Sequence, residues 1–153
     1  MESIQIYDTT LREGSQAEDI AFSLEDKLRI TMKLDNLGVR YIEGGWPSSN
    51  PKDFNYFKEI SSYSLKNAAV VAFGSTAKPG AAVDRDKNIH DLVNAQTDAV
   101  TIFGKSWDIH VTEVLKTTLE KNIELIEESI RYLKSKVPTV FFDAEHFFDG
   151  FKA

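Results

Sequence analysis

The chain has 153 residues, of which 42% are hydrophobic and 27% are charged, as in an ordinary globular protein with one compact domain. Its formal net charge of −6 argues against a nucleic-acid-binding protein, and the lack of cysteine excludes disulfides, thiolate metal sites and cysteine nucleophiles. The sequence shows neither a signal peptide nor an apolar stretch of about 20 residues, so we expect a cytoplasmic protein with no membrane partner.

The first predicted unit is a strand followed by a helix. An apolar, β-favouring run predicts a strand at about residues 3 to 8, and a polar loop follows at residues 12 to 19. Ser23 followed by Asp26 indicates a helix N-cap with an acidic first turn. Apolar residues then recur at helical spacing up to a glycine, in the order Ile30, Leu34, Leu37 and Gly38.

A second unit of the same kind follows directly. Residues 39 to 44 predict a strand that ends at Glu43, and residues 48 to 51 (SSNP) supply turn and helix-cap chemistry. The next helix shows an apolar stripe formed by Phe54, Phe57, Ile60 and Tyr63.

Three more strands are predicted at residues 68 to 73, 99 to 103 and 139 to 143, with a short helix at residues 86 to 96. The longest helical pattern precedes the fifth strand and is formed by Leu115, Leu119, Ile123, Ile126, Ile130 and Leu133. Strands that alternate with helices predict an α/β fold with a parallel sheet and right-handed crossovers.

Polar residues follow the ends of these strands, where a (β/α)8 barrel carries its active site. The first cluster contains Arg12, whose planar guanidinium suits a carboxylate or an oxyanion, and Glu13, a hard oxygen ligand for Mg, Mn or Zn. Successive residues at a strand end point in different directions, so we expect the two side chains not simply to neutralise each other. The alternative is a routine surface ion pair.

Four segments together resemble one family, the metallolyase barrels that include 2-isopropylmalate, homocitrate and citramalate synthases. They are residues 8 to 14 (DTTLREG), 41 to 47 (YIEGGWP), 103 to 108 (FGKSWD) and 142 to 150 (FDAEHFFDG). The resemblance spans the whole chain and is greatest to the citramalate synthase branch. It implies a TIM (β/α)8 barrel, which typically needs about 250 residues and eight strands. Residues 1 to 153 are therefore expected to be a truncated N-terminal part of the catalytic barrel, with about five strands.

The resemblance implies a Claisen-type condensation of acetyl-CoA with a 2-oxo acid, expected to be pyruvate, in branched-chain amino-acid biosynthesis. It implies a divalent metal (Mg, Mn or Zn) bound in part by Glu13, where many relatives have Asp and homocitrate synthases often have Glu. Arg12 would bind substrate and stabilise its developing charge, and Glu43 would position Arg12. Gln16 would contact substrate or a metal-bound water, or alternatively would satisfy the backbone of its own loop. A paired His-x-His is expected to provide further metal ligands beyond residue 153.

Glu145 corresponds to a glutamate that contacts substrate or acts as an acid or base in the relatives. Burial by Phe141, Phe147 or Phe148 would raise its pKa toward the operating pH, and His146 would orient it or pack beside it. Lys78 and Lys105 are candidates for contacts with coenzyme A phosphates, although lone lysines are usually solvated. Asp8 is expected to brace the site, and His90 and His110 are expected to be structural.

Three alternatives stay open at this point. The first is a sister synthase acting on another 2-oxo acid, such as a 2-isopropylmalate or homocitrate synthase. The second is a lyase that runs the reverse carbon–carbon chemistry. The third is a non-catalytic βα domain, which fits a half-barrel that lacks the expected histidines. In every case the open strand edges and apolar surfaces of half a barrel predict a homo-oligomer or other self-association of the isolated chain.

Overall fold

The computed structural model describes residues 4–152, and within them five strands form one parallel sheet. The strands are β1 (Tyr7–Asp8), β2 (Tyr41–Gly45), β3 (Ala69–Ser75), β4 (Ala99–Lys105) and β5 (Thr139–Glu145). They pair in chain order, β1 to β5, and every pairing is parallel. The predicted α/β fold with five strands is therefore confirmed. The sheet is curled and forms half of a barrel.

Helices follow the strands, and polar side chains define their first residues. The helices are α1 (Leu24–Leu37), α2 (Pro51–Ile60), α3 (Lys87–Asn94), α4 (Leu119–Lys134) and α5 (Phe147–Lys152). The N-cap side chains of the first four accept a hydrogen bond from the backbone N–H three residues later, and these caps are Ser23, Asn50, Asp86 and Thr118. Gly38 ends α1 with a left-handed φ of 87°, a conformation that glycine adopts without steric cost.

The buried side of α1 follows the predicted apolar stripe only in part, since Ile30 and Leu34 pack against the core but Leu37 does not. Leu37 is 79% exposed, whereas Lys27, Thr31 and Asp35 are almost completely buried. These three lie one helical turn apart and share a face. Each has a specific partner: Lys27 pairs with a carboxylate of α2, Thr31 bonds a tyrosine hydroxyl of α2, and Asp35 accepts backbone N–H groups of residues 66 to 68. Polar partners on neighbouring elements therefore override the hydrophobic pattern.

Other elements also differ from the sequence predictions: Tyr63, expected in the apolar stripe of the second helix, lies beyond Ile60, the last residue of α2. The regular part of β1 is only Tyr7–Asp8, because residues 4 to 6 are exposed at the sheet edge, and residue 3 lies outside the described residues. Leu115 does not belong to α4, since a π-helical turn at His110–Val114 and a left-handed Lys116 (φ 53°) precede the Thr118 cap. The helix α5 was not predicted.

The core lies between the sheet and the helices that cover its outer side. The largest fully buried apolar side chains of this core are Leu11, Ile42, Tyr56, Ile89, Leu92, Val100, Ile102 and Leu133. The carboxyl ends of all five strands lie at one edge of the sheet, because parallel strands share a direction. None of the helices within residues 4–152 is long and apolar enough to cross a membrane.

Apolar side chains are also exposed at the end of the chain, as predicted for half a barrel. Phe142 of β5 is 39% exposed, and the three phenylalanines of α5 are between 53% and 78% exposed. Large exposed apolar patches of this kind are rare in monomeric proteins unless another surface covers them.

Candidate active site

A cleft of about 590 Å³ lies at the carboxyl ends of the strands. Its walls come from the loops after β1 and β2 and from the ends of β3, β4 and β5. The lining residues are Arg12, Glu13, Ser15, Gln16, Trp46, Ser49, Asn50, Asp53, Phe73, Phe103, Asp143 and Glu145. Four of the five predicted site residues are thus brought together here, and the fifth, Glu43, contacts Arg12 from below the cleft.

The loop after β1 is a tight turn rather than a continuation of the strand. The carbonyl oxygen of Thr9 accepts hydrogen bonds from the N–H groups of residues 12, 13 and 14, and Asp8 accepts from both the N–H and the hydroxyl of Thr10. Asp8 thus braces the turn. Alternation of side chains does not apply in a turn, and Arg12 forms an ion pair with Glu13. The expected difference in direction is thus absent in this turn, although Arg12 does not merely neutralise Glu13, because it also bonds Glu43.

Arg12 is held from three sides. Its Nε donates to Oε1 of Glu43 at 2.5 Å, and its Nη1 donates to Glu13. The guanidinium carbon lies 3.8 Å from the centre of the Phe73 ring, a cation–π geometry. Within residues 4–152, Nη2 has no hydrogen-bond partner, and this leaves a donor for a ligand in the cleft.

Glu43 is the buried carboxylate of this group, with a relative exposure of 2%. Its second oxygen, Oε2, accepts a hydrogen bond from the hydroxyl of Tyr7 at 2.5 Å. Burial, followed by the hydrogen bond to Glu43, raises the pKa of Tyr7 well above its usual value, so its phenol stays a hydrogen-bond donor. A buried carboxylate needs such partners, since an unpaired one is costly.

Trp46 forms an aromatic wall of the cleft with Phe73 and Phe103. Its ring meets both phenylalanines edge to face, at centroid distances of 6.0 and 5.7 Å. The indole Nε1 donates to Asn88 Oδ1 at 2.7 Å, and the backbone N–H donates to Asp53 Oδ2 at 3.1 Å. Trp46 is therefore fixed at both its ring and its backbone.

A buried ion pair lies behind this wall. Lys27 Nζ is 2.5 Å from Asp53 Oδ1, and both residues are buried. Burial lowers the pKa of Lys27, and the hydrogen bond to Asp53 opposes that change. The backbone passes close by: a Cβ on Gly45, which has a φ of 142°, would lie 2.7 Å from Asp53, and one on Gly44 would lie 2.3 Å from the Tyr56 ring. Only glycines fit at this approach.

Glu145 lies at the end of β5 and forms an ion pair with Lys105 at the end of β4. Phe147 and Phe148, which were expected to bury Glu145, are 53% and 72% exposed and do not enclose it. Because β5 turns into α5 at His146, which has a left-handed φ of 58°, the following rings are carried away from the cleft. These two rings therefore do not bury Glu145, and Phe141, the third ring expected there, packs against Tyr7 and Tyr41. Lys105 is not a solvated lysine, since its side chain is only 16% exposed.

The remaining predicted residues take more exposed positions. Gln16 lies in a short 3-10 turn, is exposed, and has no side-chain hydrogen bond within residues 4–152. Glu13 is 59% exposed at the cleft. His146 pairs with Asp149 rather than with Glu145. In the described part of the chain, no group of three His, Cys, Asp or Glu side chains could hold a metal ion.

Sequence reasoning missed several residues of the site. Tyr7 belongs to a predicted strand, and the sequence shows no signal for its contact with Glu43, which lies 36 positions away. Asp53 and Asn88 gave no signal, because their partners are 7 and 42 positions away and on other elements. Trp46 and Phe103 belong to the family motifs, but their separation in sequence does not reveal that their rings pack against each other.

Comparison with known proteins agrees with the resemblance. A family model described as HMGL-like matches residues 3–150. The chain is 56% identical over 153 residues to the (R)-citramalate synthase of Geobacter sulfurreducens, covering 100% of this chain and 29% of that protein. It is 57% identical over 152 residues to that of Aquifex aeolicus, covering 99% and 29%. The 2-isopropylmalate synthase of Shouchella clausii is more distant, at 35% over 145 residues (95% and 27%). The chain thus spans less than a third of the length of these relatives.

Solved structures share the fold. The hydroxymethylglutaryl-CoA lyase of Pseudomonas aeruginosa superposes with a TM-score of 0.68 at 15% identity, over 91% of this chain and 45% of that one. The HMG-CoA lyase of Brucella melitensis gives a TM-score of 0.61 at 14% identity, over 91% and 49%. At this identity the likeness is one of fold, and it matches the five strands to about half of each lyase chain.

Proposed function

The chain belongs to the HMGL-like family, and from that premise we propose that it is the N-terminal part of the catalytic barrel of a citramalate-forming synthase. The observation that carries this proposal is the 56–57% identity to curated (R)-citramalate synthases along the whole chain. The identity to a 2-isopropylmalate synthase is much lower, at 35%. The match covers 29% of each of these citramalate synthases, and this supports the proposal that the chain is part of a longer enzyme.

The proposed reaction joins acetyl-CoA and pyruvate. The methyl carbon of the acetyl group loses a proton and attacks the C2 carbonyl of pyruvate, which forms the new carbon–carbon bond. The carbonyl oxygen takes up a proton and becomes a hydroxyl. Water then cleaves the thioester, which gives citramalate and free coenzyme A. This chemistry would place the enzyme in branched-chain amino-acid biosynthesis.

Arg12 is the proposed electrostatic catalyst and substrate ligand. Arg12 lines the cleft, and its Nη2 has no hydrogen-bond partner in residues 4–152, while Nε and Nη1 are engaged by Glu43 and Glu13. A donor that is already oriented stabilises charge that develops on an oxygen without a reorganisation cost. The role proposed for Glu43 is to hold this orientation, which its burial and its bond to Nε support.

A divalent metal is proposed as cofactor, and the described residues fit only part of its site. Glu13 offers an accessible carboxylate at the cleft, which suits Mg, Mn or Zn. A catalytic metal needs about three protein ligands, so Glu13 alone is not a complete site. The others would come from the His-x-His expected beyond residue 153. When bound, such an ion would polarise the oxo acid as a Lewis acid.

Glu145 is proposed as a catalytic acid or base, with Lys105 as its partner. The ion pair keeps the carboxylate at the rim of the cleft, next to Asp143. Gln16 is proposed to bind substrate, because its amide is exposed at the cleft and has no side-chain partner in residues 4–152. The aromatic wall of Trp46, Phe73 and Phe103 would exclude water from the reacting carbon atoms.

The proposal includes the cellular setting. Acetyl-CoA and a 2-oxo acid are the proposed partners, without nucleic acid or membrane. A homo-oligomer and a cytoplasmic location remain predictions. The second candidate function is a 2-isopropylmalate synthase, which the 35% identity to that enzyme supports.

A substrate panel tests the proposal. The full-length protein that contains this chain would be assayed with acetyl-CoA, Mn²⁺ or Mg²⁺, and pyruvate, 2-oxoisovalerate or 2-oxoglutarate, by following free coenzyme A. The proposal predicts release that depends on pyruvate. Preference for 2-oxoisovalerate would move the protein to the sister synthase. No release above the acid-free rate with any acid would contradict a condensing enzyme and leave the non-catalytic domain.

A further inference from the structure

Tyr7 occupies an unusual place for a strand tyrosine. Its ring lies inside the half-barrel, against Tyr41 of β2 and edge to face with Phe141 of β5 at a centroid distance of 5.3 Å. Its hydroxyl contacts Glu43 of β2 and Thr101 of β4. One side chain of β1 thereby touches three other strands, two of which are not its neighbours in the sheet.

The hydrogen bonds around this hydroxyl have a defined direction. The Tyr7 hydroxyl donates to Oε2 of Glu43. The oxygen of Tyr7 then accepts from the hydroxyl of Thr101 at 2.6 Å. The result is a chain of donors from Thr101 through Tyr7 to Glu43. The other oxygen of Glu43 accepts from Arg12 Nε.

This chain fixes a side chain that the cleft depends on. A carboxylate with only one partner can rotate about its last bond, whereas two opposed donors hold both oxygens in place. Glu43 is 2% exposed, so water does not readily replace the tyrosine. Thr101 is 5% exposed and is equally shielded. The position of Arg12 thus depends on a hydroxyl that does not itself line the cleft.

We propose that Tyr7, supported by Thr101, is a positioning residue that orients Arg12 through Glu43 for the condensation. The inference rests on the proposed function for its catalytic consequence. In this proposal Tyr7 touches no substrate and acts on Arg12 only through the carboxylate of Glu43. The aromatic ring fills the barrel interior, and the hydroxyl alone carries the positioning role.

The test is Tyr7→Phe in the full-length protein, with Tyr41→Phe as the matched control. Tyr41 packs in the same aromatic cluster, and its hydroxyl has no hydrogen-bond partner within residues 4–152. A misplaced catalytic group costs about 10²-fold in rate, so we expect kcat of Tyr7→Phe to fall by about 10- to 100-fold. We expect KM for pyruvate to change by less than about threefold, because the lost contact matters mainly in the transition state. Thr101→Val is expected to show a smaller loss of the same kind.

Two readouts separate positioning from general stability. Rates are measured well below the melting temperature of each variant. In an Arg12→Lys background, Tyr7→Phe should have no further effect on kcat, since residues that act as one unit are not additive. A kcat of Tyr7→Phe within twofold of Tyr41→Phe would overturn the inference, as would full additivity with Arg12→Lys.

A crystal structure of Tyr7→Phe gives an outcome that does not depend on activity. In this variant, we expect either that the Glu43 carboxylate shifts or that the Arg12 guanidinium leaves its position above the Phe73 ring. An unchanged Arg12 and Glu43 would overturn the inference even if the wild-type protein had no synthase activity. Absence of synthase activity in the wild-type protein, with the predicted displacement in the variant, would instead count against the proposed function alone.

Discussion

Arg12 and Glu43, which are 31 positions apart in sequence, meet through a hydrogen bond of 2.5 Å from Nε to Oε1. Glu43 is buried and belongs to β2, whereas Arg12 belongs to the turn after β1, which Asp8 and Thr9 brace. The rigid strand therefore fixes the direction of a side chain that a short turn presents. The consequences can be measured on the full-length protein.

Replacement of Arg12 tests the electrostatic role. Arg12→Ala is expected to lower kcat by about 10²- to 10³-fold, the usual cost of removing one oriented donor to a developing oxyanion. Arg12→Lys should recover little, because an ammonium cannot bond Glu43 and the cleft in the same planar geometry. Arg29→Ala, at an exposed position of α1, is the control. An Arg12→Ala enzyme with wild-type kcat would contradict the role.

Glu13 provides a test of metal binding that needs no turnover. Glu13→Gln removes the anionic oxygen ligand. The dissociation constant of the variant protein for Mn²⁺, measured by calorimetry, should therefore rise by at least about tenfold. Glu18→Gln changes an exposed carboxylate in the same loop and should leave the Mn²⁺ affinity unchanged. Equal affinities of both variants and the wild type would mean that Glu13 is not a ligand.

The buried pair of Lys27 and Asp53 is predicted to stabilise the site wall. Lys27→Met leaves the Asp53 carboxylate buried without its cation, which should lower the free energy of unfolding by about 3–5 kcal/mol. Asp53→Asn in the same background should restore part of the loss. Urea denaturation measures each value, with the exposed Lys33→Met of the same helix as control. A loss no larger than that of Lys33→Met would show that the pair contributes little.

Asp35 should make stability depend on pH. Burial opposes its ionisation, but the backbone N–H groups of Lys66, Asn67 and Ala68 outweigh burial and hold the pKa of Asp35 below its usual value. A lowered pKa adds stability above the usual Asp value of about 3.9, and this stability is lost as the pH falls through the folded-state value.

The matching variant is Asp35→Asn, with the exposed Asp98→Asn as control. At pH 7 the free energy of unfolding of Asp35→Asn should be about 1–3 kcal/mol below that of the wild type. The difference should shrink below pH of about 4. A difference that stays constant from pH 7 to pH 3 would exclude a contribution from ionisation.

The fold was largely predictable, because its signals are local. Alternating strand and helix patterns define the five strands, and capping residues such as Ser23 define helix starts within a residue. The buried face of α1 was not predictable from hydrophobicity, since Lys27 and Asp35 are buried only because partners 26 and 31 to 33 positions away bond them. The start of α4 was misplaced because a left-handed Lys116 interrupts a continuous apolar pattern.

The proximity of the predicted site residues could be anticipated from the sequence, whereas their geometry and their partners Tyr7, Asp53 and Asn88 could not. Strand ends meet at one edge of a parallel sheet, which is why Arg12, Glu43 and Glu145 could be expected near each other. The directions of their side chains depend on the turn after β1 and on the bend after β5. The links through Tyr7 and Asn88 depend on contacts between strands and loops that no short-range pattern contains.

Formation of a carbon–carbon bond distinguishes a condensing enzyme from a thioesterase, and a labelled substrate reports on it. The full-length protein would be given acetyl-CoA labelled with ¹³C at the methyl carbon, together with pyruvate, and the products followed by NMR. For a citramalate-forming enzyme, the label is expected in a methylene group bonded to a quaternary carbon that carries a hydroxyl. Label found only in acetate, the product of simple thioester hydrolysis, would contradict the proposed condensation.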